Sequence, residues 1–209
     1  MNRIEELIQQ LCPDGVEWKT LGACLENNLG GGTPSKVKLE YWNGDIPWAS
    51  VGDLSAEGLS ITKTRAYISE EGLKNSSSNL IKRGSVIVAV KIIPGKMKIA
   101  DIDLAINQDL RGLYLKPFIT PKFLVYFSQT FLIQGNGTIV KGITIDTLEK
   151  ISIPVPPLSE QERIVGILDK FDALVNDLSS GLPAEIKARR QQYEYYRDQL
   201  LTFKNRDHG

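Results

Sequence analysis

Cysteine and histidine are scarce in this 209-residue chain, which has two cysteines and one histidine. Cys12 and Cys24 form no C-x-x-C pair, and His208 is the single imidazole, so no zinc site of ordinary ligand spacing is expected. Because that histidine lies in the tail, a serine or cysteine nucleophile in the body of the chain lacks a histidine base. We therefore predict neither a metal site nor a triad-type catalytic site.

Long apolar runs are also missing, and acids at Glu5 and Glu6 interrupt the first residues. Neither a signal peptide nor a membrane anchor is expected from this pattern. The expectation is a cytoplasmic protein whose two thiols are reduced.

Other catalytic patterns are incomplete. Asp14 and the 17–19 run Glu-Trp-Lys superficially resemble a carboxylate nuclease set, but they lie on one turn, whereas ligands of a shared metal must come from separate strands. The glycine-rich run 29–34 lacks the Gly-Lys-Ser/Thr of a phosphate loop. An Asn-Pro-Pro-aromatic loop of adenine methyltransferases is absent. No catalytic residue and no cofactor bound by this chain are predicted.

The net charge is zero, but the charges are segregated along the chain. Residues 1–60 carry four basic and nine acidic side chains (net −5), residues 61–150 carry 13 and seven (+6), and residues 151–209 carry eight and nine (−1). An acid-free basic run lies in the middle, and its members are the predicted phosphate contacts: Lys82, Arg83, Lys91, Lys96 and Lys98. Such a run gains DNA affinity by counterion release. Solvation of an ordinary surface remains the alternative.

The sequence pattern of residues 16–157 is typical of an α+β domain. A short amphipathic helix is predicted before it, at 4–11. Short β-rich runs then alternate with glycine, proline and asparagine, at 46–49, 85–93, 112–115 and 151–155. The apolar run 121–131 begins with Pro121, which suits the first turn of a helix, and predicts a buried helix.

The prolines at 154, 156 and 157 mark the strongest boundary, because consecutive prolines forbid both a helix and a central strand. Ser159 to Glu162 matches a capping box. Two amphipathic stretches follow, separated by 179–183. We therefore predict a globular domain over 1–157 and a long helical, coiled-coil-like arm over 158–209.

The arm carries one apolar stripe, which needs a partner surface. Its predicted interface residues are Ile164, Ile167, Leu168, Phe171, Leu174, Leu178, Ile186, Tyr193, Tyr196 and Leu200. The partner is the globular domain, the other helix or a second subunit, and the two helical stretches are either one interrupted helix or a helix–turn–helix.

Several short segments, in order along most of the chain, resemble the specificity subunit of type I restriction–modification systems. Segments 16–22, 31–35, 41–48 and 52–53 resemble its target recognition domain, as does Ala-Ile-Asn-Gln at 105–108. The proline-rich run 153–161 leading into 164–169, and the closing run 189–201, resemble its conserved helical region. Their order and joint coverage make the resemblance specific.

This resemblance implies a non-catalytic subunit that reads double-stranded DNA. Members usually carry two recognition domains and two helical regions, whereas this chain has one of each, so it resembles a half subunit, natural or fragmentary. The resemblance implies pairing of two copies through the helices on a bipartite, inverted site. It also implies modification subunits that use S-adenosylmethionine to methylate adenine, and a restriction subunit that uses ATP and Mg²⁺.

Loop residues with polar side chains are the candidates for reading base edges. They are Thr33, Ser35, Lys36, Ser50, Asp53, Lys63 and Arg65. Surface solvation or turn capping is the alternative for each. Asn107 and Gln108 fit base reading, but they fit backbone capping at least as well. Trp42 and Trp48 favour core packing over base stacking.

Two readings of other classes stay open. One is a helical scaffold whose globular domain binds protein and not DNA. The other is a stand-alone DNA-modifying enzyme with unfamiliar motifs.

Overall fold

The computed structural model describes residues 14–130, 142–177 and 183–205. Within these ranges the chain is a mixed α/β structure, as the sequence predicts. The helix expected at 4–11 lies outside the described residues. None of the described helices is both long and apolar enough to cross a membrane.

The strands form three sheets. In chain order they are β1 (Glu17–Thr20), β2 (Leu25–Gly30), β3 (Ile46–Ala49), β4 (Ser60–Ile61), β5 (Ala66–Ile68), β6 (Leu80–Ile81), β7 (Val86–Ala89), β8 (Met97–Ala100), β9 (Leu104–Ile106), β10 (Leu110–Leu115) and β11 (Ser152–Val155). A five-stranded sheet has the order β2-β10-β7-β8-β4, a four-stranded sheet has the order β5-β3-β9-β6, and β1 pairs with β11. Most pairs are antiparallel, but β3 with β9 and β4 with β8 are parallel.

The helices begin at polar caps or prolines. They are α1 (Val51–Leu54), α2 (Glu70–Lys74), α3 (Pro121–Ser128), α4 (Ile145–Glu149), α5 (Leu158–Asp177) and α6 (Pro183–Leu200). The Thr120 hydroxyl accepts from Phe123 N–H and Pro121 opens α3, so the predicted buried helix is present but ends at Ser128. α5 begins directly after Pro157, one residue before the predicted cap.

Strand β7 separates two hydrophobic cores, because its alternate side chains point to opposite faces. Val86 and Val88 join a larger core with α3 and the C-terminal helices. Ile87 and Ala89 join a second core against Leu104 and other residues of the four-stranded sheet and its neighbours. The five-stranded sheet is therefore covered on both sides at its centre.

The C-terminal helices fold back onto the globular part. Ile164 and Leu168 of α5 are buried in the larger core, which also contains Leu200 at the end of α6. Between the helices, the ring of Phe171 stacks on that of Tyr196 at a centroid distance of 6.1 Å. After α6 the chain returns to the domain, where Val16 N–H donates to Lys204 C=O at 3.0 Å. The described parts of α5 and α6 thus form a helix pair seated on the domain.

The described part of the apolar stripe is used within the chain. Ile167 and Phe171 pack at the margin of the core, and Tyr193 is half-buried. The side chains of Leu174, Leu178 and Ile186 lie outside the described residues. The predicted coiled-coil arm is not confirmed, since the described side chains of the stripe contact the chain's own domain and helix pair.

A polar cluster joins α3 to α5. Asp169 accepts from the Tyr126 hydroxyl at 2.7 Å and pairs with Lys122 Nζ, also at 2.7 Å. One turn on, burial and the negative charge of Asp169 raise the pKa of Asp172. On the facing helix, burial and Asp172 raise the pKa of Tyr193 to about 12. The cluster thus ties α5 to α3 through Lys122 and Tyr126.

Candidate nucleic-acid interface

The parallel pair β3–β9 brings two loops to one edge of the four-stranded sheet. Ala49 pairs with Ile106 at the carboxyl ends of the strands, and Asn107 N–H donates to Ala49 C=O at 3.0 Å. Ser50 and Asn107 therefore leave the sheet side by side. We call the set gathered here the polar edge: Thr33, Ser50, Arg65, Asn107 and Gln108.

The glycine-rich loop after β2 is fastened to this edge. Gly32 N–H donates to Ile106 C=O at 2.9 Å. A Cβ on Gly31 would overlap the carbonyl oxygens of Ile106 and Asn107, so the close approach requires glycine. The next side chain, Thr33, donates its hydroxyl hydrogen to the Gln108 side-chain oxygen. The run that resembled a phosphate loop thus serves to place a threonine at the polar edge.

Two tryptophans hold the loop that follows. Buried Trp48 donates its indole N–H to Gly32 C=O at 3.1 Å, and Trp42 donates to Ser35 C=O at 3.2 Å. Their rings meet edge to face at 5.0 Å. Both are engaged in packing, as the sequence favours.

Asp53 is the hub of a second cluster at the edge. Its Oδ2 accepts from Ser50 N–H at 2.8 Å and from Ser50 Oγ at 3.0 Å, and the two residues cap α1 reciprocally. Its Oδ1 accepts from the backbone N–H and the Nε of Arg65, at 3.1 and 3.2 Å. Asp53 is buried, and four donors saturate its carboxylate. The prediction that Asp53 reads bases was wrong, because its oxygens are occupied within the protein.

The cluster leaves Arg65 exposed, with 69% of its side chain accessible. Besides Asp53, its Nη2 donates to Ser50 Oγ at 3.1 Å. The guanidinium lies so close to Gly52 that a Cβ there would overlap Nη2. Ser50 and Arg65 therefore lie together, as two of the predicted base-reading residues.

Asn107 caps the turn after β9. It is buried, and its Oδ1 accepts from Asp109 N–H at 3.1 Å, which is the backbone-capping alternative. Gln108 is exposed at the same turn. Asp109 pairs with Lys91 Nζ at 3.2 Å, which brings one predicted phosphate contact beside the polar edge.

The remaining candidate loop residues are exposed. Ser35 and Lys36 lie on the loop beyond Thr33, and Lys63 lies two residues before Arg65. The loop also exposes two apolar side chains, Val37 and Leu39.

The basic run is not one surface. Lys82 and Arg83 precede β7 and pair with Asp103 and Asp101, at 2.8 and 3.1 Å. The hydrogen bond to Asp103 raises the pKa of Lys82. Lys91 and exposed Lys96 follow β7, at the tip of the β7–β8 hairpin. The run that is free of acids in sequence therefore does not form one acid-free surface: β7 divides it, and Asp101, Asp103 and Asp109 pair with three of its members.

Lys98 also differs from what the sequence predicts. Its side chain is buried, and its Nζ donates to the carbonyl oxygens of Ala56 and Glu57 at 2.7 and 3.0 Å. Burial lowers the pKa of this ammonium. The prediction that Lys98 contacts phosphate was wrong, since it fastens the 56–57 loop from inside the protein.

The sequence reasoning missed two contributors. Asp109, directly after the Asn-Gln pair, forms an ion pair with Lys91, and Gly52 makes room for the Arg65 guanidinium. The Gly-Asp dipeptide at 52–53 is visible in the sequence, but its contact with Arg65 exists only in the folded structure. No group of three or more His, Cys, Asp or Glu in the described ranges is arranged to hold a metal ion.

These features define a class: a mixed α/β domain with a loop-built polar edge and a helix pair seated on its core. A family model described as "Type I restriction modification DNA specificity domain" matches residues 13–188. This chain belongs to that family.

Two relatives from Escherichia coli are similar over most of the chain. The specificity subunit of the type I restriction enzyme EcoR124I/EcoR124II is 38% identical over 201 residues, covering 90% of this chain and 48% of the relative. The EcoprrI specificity subunit is 36% identical over 208 residues, covering 91% of this chain and 51% of the relative. The chain thus spans about half the length of these relatives.

The fold is similar to that of a solved HsdS subunit from Thermoanaerobacter tengcongensis. The TM-score is 0.63 at 19% identity, and the match covers 95% of this chain and 49% of that one. The mixed α/β architecture is therefore that of a specificity subunit.

Proposed function

We propose that this chain recognises one half of a bipartite double-stranded DNA site, as the specificity component of a type I restriction–modification enzyme. The observation that carries the proposal is the polar edge. Segments distant in sequence converge there, and Thr33, Arg65 and Gln108 present hydrogen-bonding groups on loops at the end of the four-stranded sheet. Donors and acceptors fixed in this way suit the base edges of a DNA groove.

Charge at the border of the edge supports the same proposal. Lys91 and Lys96 lie on the adjacent hairpin tip, and Lys36 and Lys63 lie on the loops of the edge. These ammonium groups suit phosphate contacts, which position the duplex without reading its sequence. The proposed interface thus has base-reading groups at its centre and cations around them.

The proposed role is non-catalytic. Modification subunits would supply S-adenosylmethionine and methylate adenine, and a restriction subunit would join them with ATP and Mg²⁺. In this proposal the chain holds no cofactor and works in the cytoplasm, where the DNA and these partners are found.

The helix pair is the proposed docking site for modification subunits and for a second copy of the chain. Since Ile164, Leu168 and Leu200 are buried in the chain's own core, pairing must use the outer face, where Tyr195 of α6 is exposed. Two copies would read inverted half-sites. Sedimentation of the full chain tests this pairing, and a monomer at every concentration that binds DNA would reject it.

A salt titration of DNA binding tests the recognition proposal. We expect the logarithm of the binding constant to fall linearly with the logarithm of salt concentration, by about 0.9 for each phosphate contacted. Fluorescence anisotropy of the full chain, with and without cognate modification subunits, on labelled duplex DNA gives the slope. A protein-binding scaffold would bind no DNA, and a stand-alone enzyme would transfer methyl groups without partners; either result contradicts the proposal.

A further inference from the structure

The Arg65 guanidinium is built into the polar edge more firmly than an ordinary surface arginine. Its Nε faces Asp53 and its Nη2 faces Ser50, at 3.2 and 3.1 Å. Ser50 is in turn held by Asp53, which is buried and anchored to the start of α1. Gly52 leaves the space that the guanidinium occupies.

This arrangement leaves a particular part of the guanidinium for a ligand. Arginine has five N–H groups in a planar fork. One on Nε and one on Nη2 are engaged by Asp53 and Ser50, so the edge formed by Nη1 and Nη2 keeps its donors for an outside partner. Side-chain exposure of 69% makes that edge accessible.

Two parallel N–H donors need two neighbouring acceptors. In the major groove, guanine presents O6 and N7 as such a pair, whereas adenine pairs one acceptor with a donor. Because the fork is already oriented, less side-chain freedom is lost on binding. A carboxylate behind the guanidinium also keeps the plane of the fork fixed.

We propose that Arg65 is a specificity-determining residue that reads a guanine in the major groove, and that Asp53 is its positioning residue. The proposal rests on the DNA recognition proposed above and adds the base and the residue that reads it. Ser50 and Gly52 are the other residues that hold the guanidinium in this orientation. Asp53 itself touches no base.

The test is selection of preferred sites from a pool of random duplex DNA by the full chain in complex with cognate modification subunits. Wild type is compared with Arg65→Ala, Arg65→Lys, Asp53→Asn and Gly52→Ala. We expect one guanine position to lose its preference by about fivefold or more in both Arg65 variants, with the other positions retained. Arg65→Lys keeps the charge and loses the fork, so general affinity should survive while guanine preference does not.

Asp53→Asn and Gly52→Ala should weaken the same position and no other, since they release or displace the guanidinium. A purely structural role would instead alter all positions or none. If either variant fails to fold by circular dichroism, the two Arg65 variants decide alone. Arg83→Ala is the matched control: Arg83 is an exposed arginine paired to Asp101 at the end of β7 away from the polar edge, so the interface proposed above does not include it, although the sequence named it as a phosphate contact.

The outcomes separate the two proposals. Loss of one guanine position in the Arg65 variants, with the Arg83→Ala profile unchanged, supports the inference. Arg65 variants that keep every base preference of wild type overturn it and leave DNA recognition standing. Failure of wild type to enrich any sequence overturns DNA recognition, and the reading by Arg65 with it.

Discussion

At the scale of single residues, three lysines of one basic run have three different environments. Lys82 pairs with Asp103 before β7, Lys91 pairs with Asp109 after it, and Lys98 is buried. Charge counted along the sequence cannot separate them, because each environment is made by residues from another strand or loop. The comparison of their alanine variants measures what each lysine does.

Lys91→Ala should weaken DNA binding on all sequences alike and reduce the salt slope by about one, since one phosphate contact is lost. Lys82→Ala is the matched control: it removes an exposed lysine paired to an aspartate at the far end of β7, and it should leave the slope unchanged. Anisotropy titrations at several salt concentrations give both slopes. Equal losses in the two variants would contradict the placement of DNA at the polar edge.

Lys98→Ala should instead lower the free energy of unfolding by about 2–4 kcal/mol, because two hydrogen bonds from a charged donor and the packing of the buried side chain are lost. Urea denaturation measures this loss. The salt slope of the folded variant should equal that of wild type. A stable variant with a reduced slope would return Lys98 to the phosphate contacts.

At the scale of elements, two carboxylates of α5 have opposite effects on the free energy of unfolding at neutral pH. Asp169 accepts hydrogen bonds from Tyr126 and Lys122, whereas Asp172 is half-buried near Asp169 and has a raised pKa. Between the unfolded pKa of about 3.9 and the raised value, the folded state binds more protons at Asp172. The Asp172 contribution to the free energy of unfolding therefore falls as the pH rises through that window.

Asp172→Asn should raise the free energy of unfolding at pH 7 by about a few tenths of a kcal/mol, because solvent screens this partly exposed group. The gain should vanish when the pH falls below the unfolded pKa. Asp169→Ala is the contrasting variant and should lose about 1–3 kcal/mol, since the buried Tyr126 hydroxyl loses its acceptor. Urea melts at several pH values test both, and a gain for Asp172→Asn that persists unchanged at acid pH would refute the assignment.

Elements defined by local pattern were predictable. The 46–49 run forms β3 with the predicted bounds, and Pro121 opens α3 as expected. The position of Lys98 was not predictable, because β7 and β8 are covered on both faces and alternation then carries no inside–outside signal. For the polar edge, the sequence indicated Thr33, Ser50 and Arg65 as candidates but not that they lie close together. Their proximity depends on the parallel pair β3–β9, which is a long-range contact.

At the scale of the whole molecule, the globular part and the helix pair share one core. Leu124 of α3, Ile164 of α5 and Phe203 after α6 belong to the same buried cluster. Cutting the chain after Pro157 would expose this apolar surface. The larger core therefore spans the domain boundary that the sequence predicts at residue 157.

We expect the two parts to unfold together. The three tryptophans, Trp18, Trp42 and Trp48, all lie in the globular part, whereas α5 and α6 are the longest described helices, with 20 and 18 residues. Tryptophan fluorescence and circular dichroism at helix wavelengths should therefore give coincident urea transitions. Two separated midpoints would show that the helix pair and the domain are independent.

The hydrogen bond from Val16 to Lys204, with the parallel bridge between Val16 and Asn205, places the first and last described segments side by side. Residues 14 and 205, the two limits of this part of the structure, therefore lie close together in space. A circular permutant of residues 14–205, joined from 205 to 14 by a short linker and opened at one exposed loop, should keep the same arrangement of strands and helices.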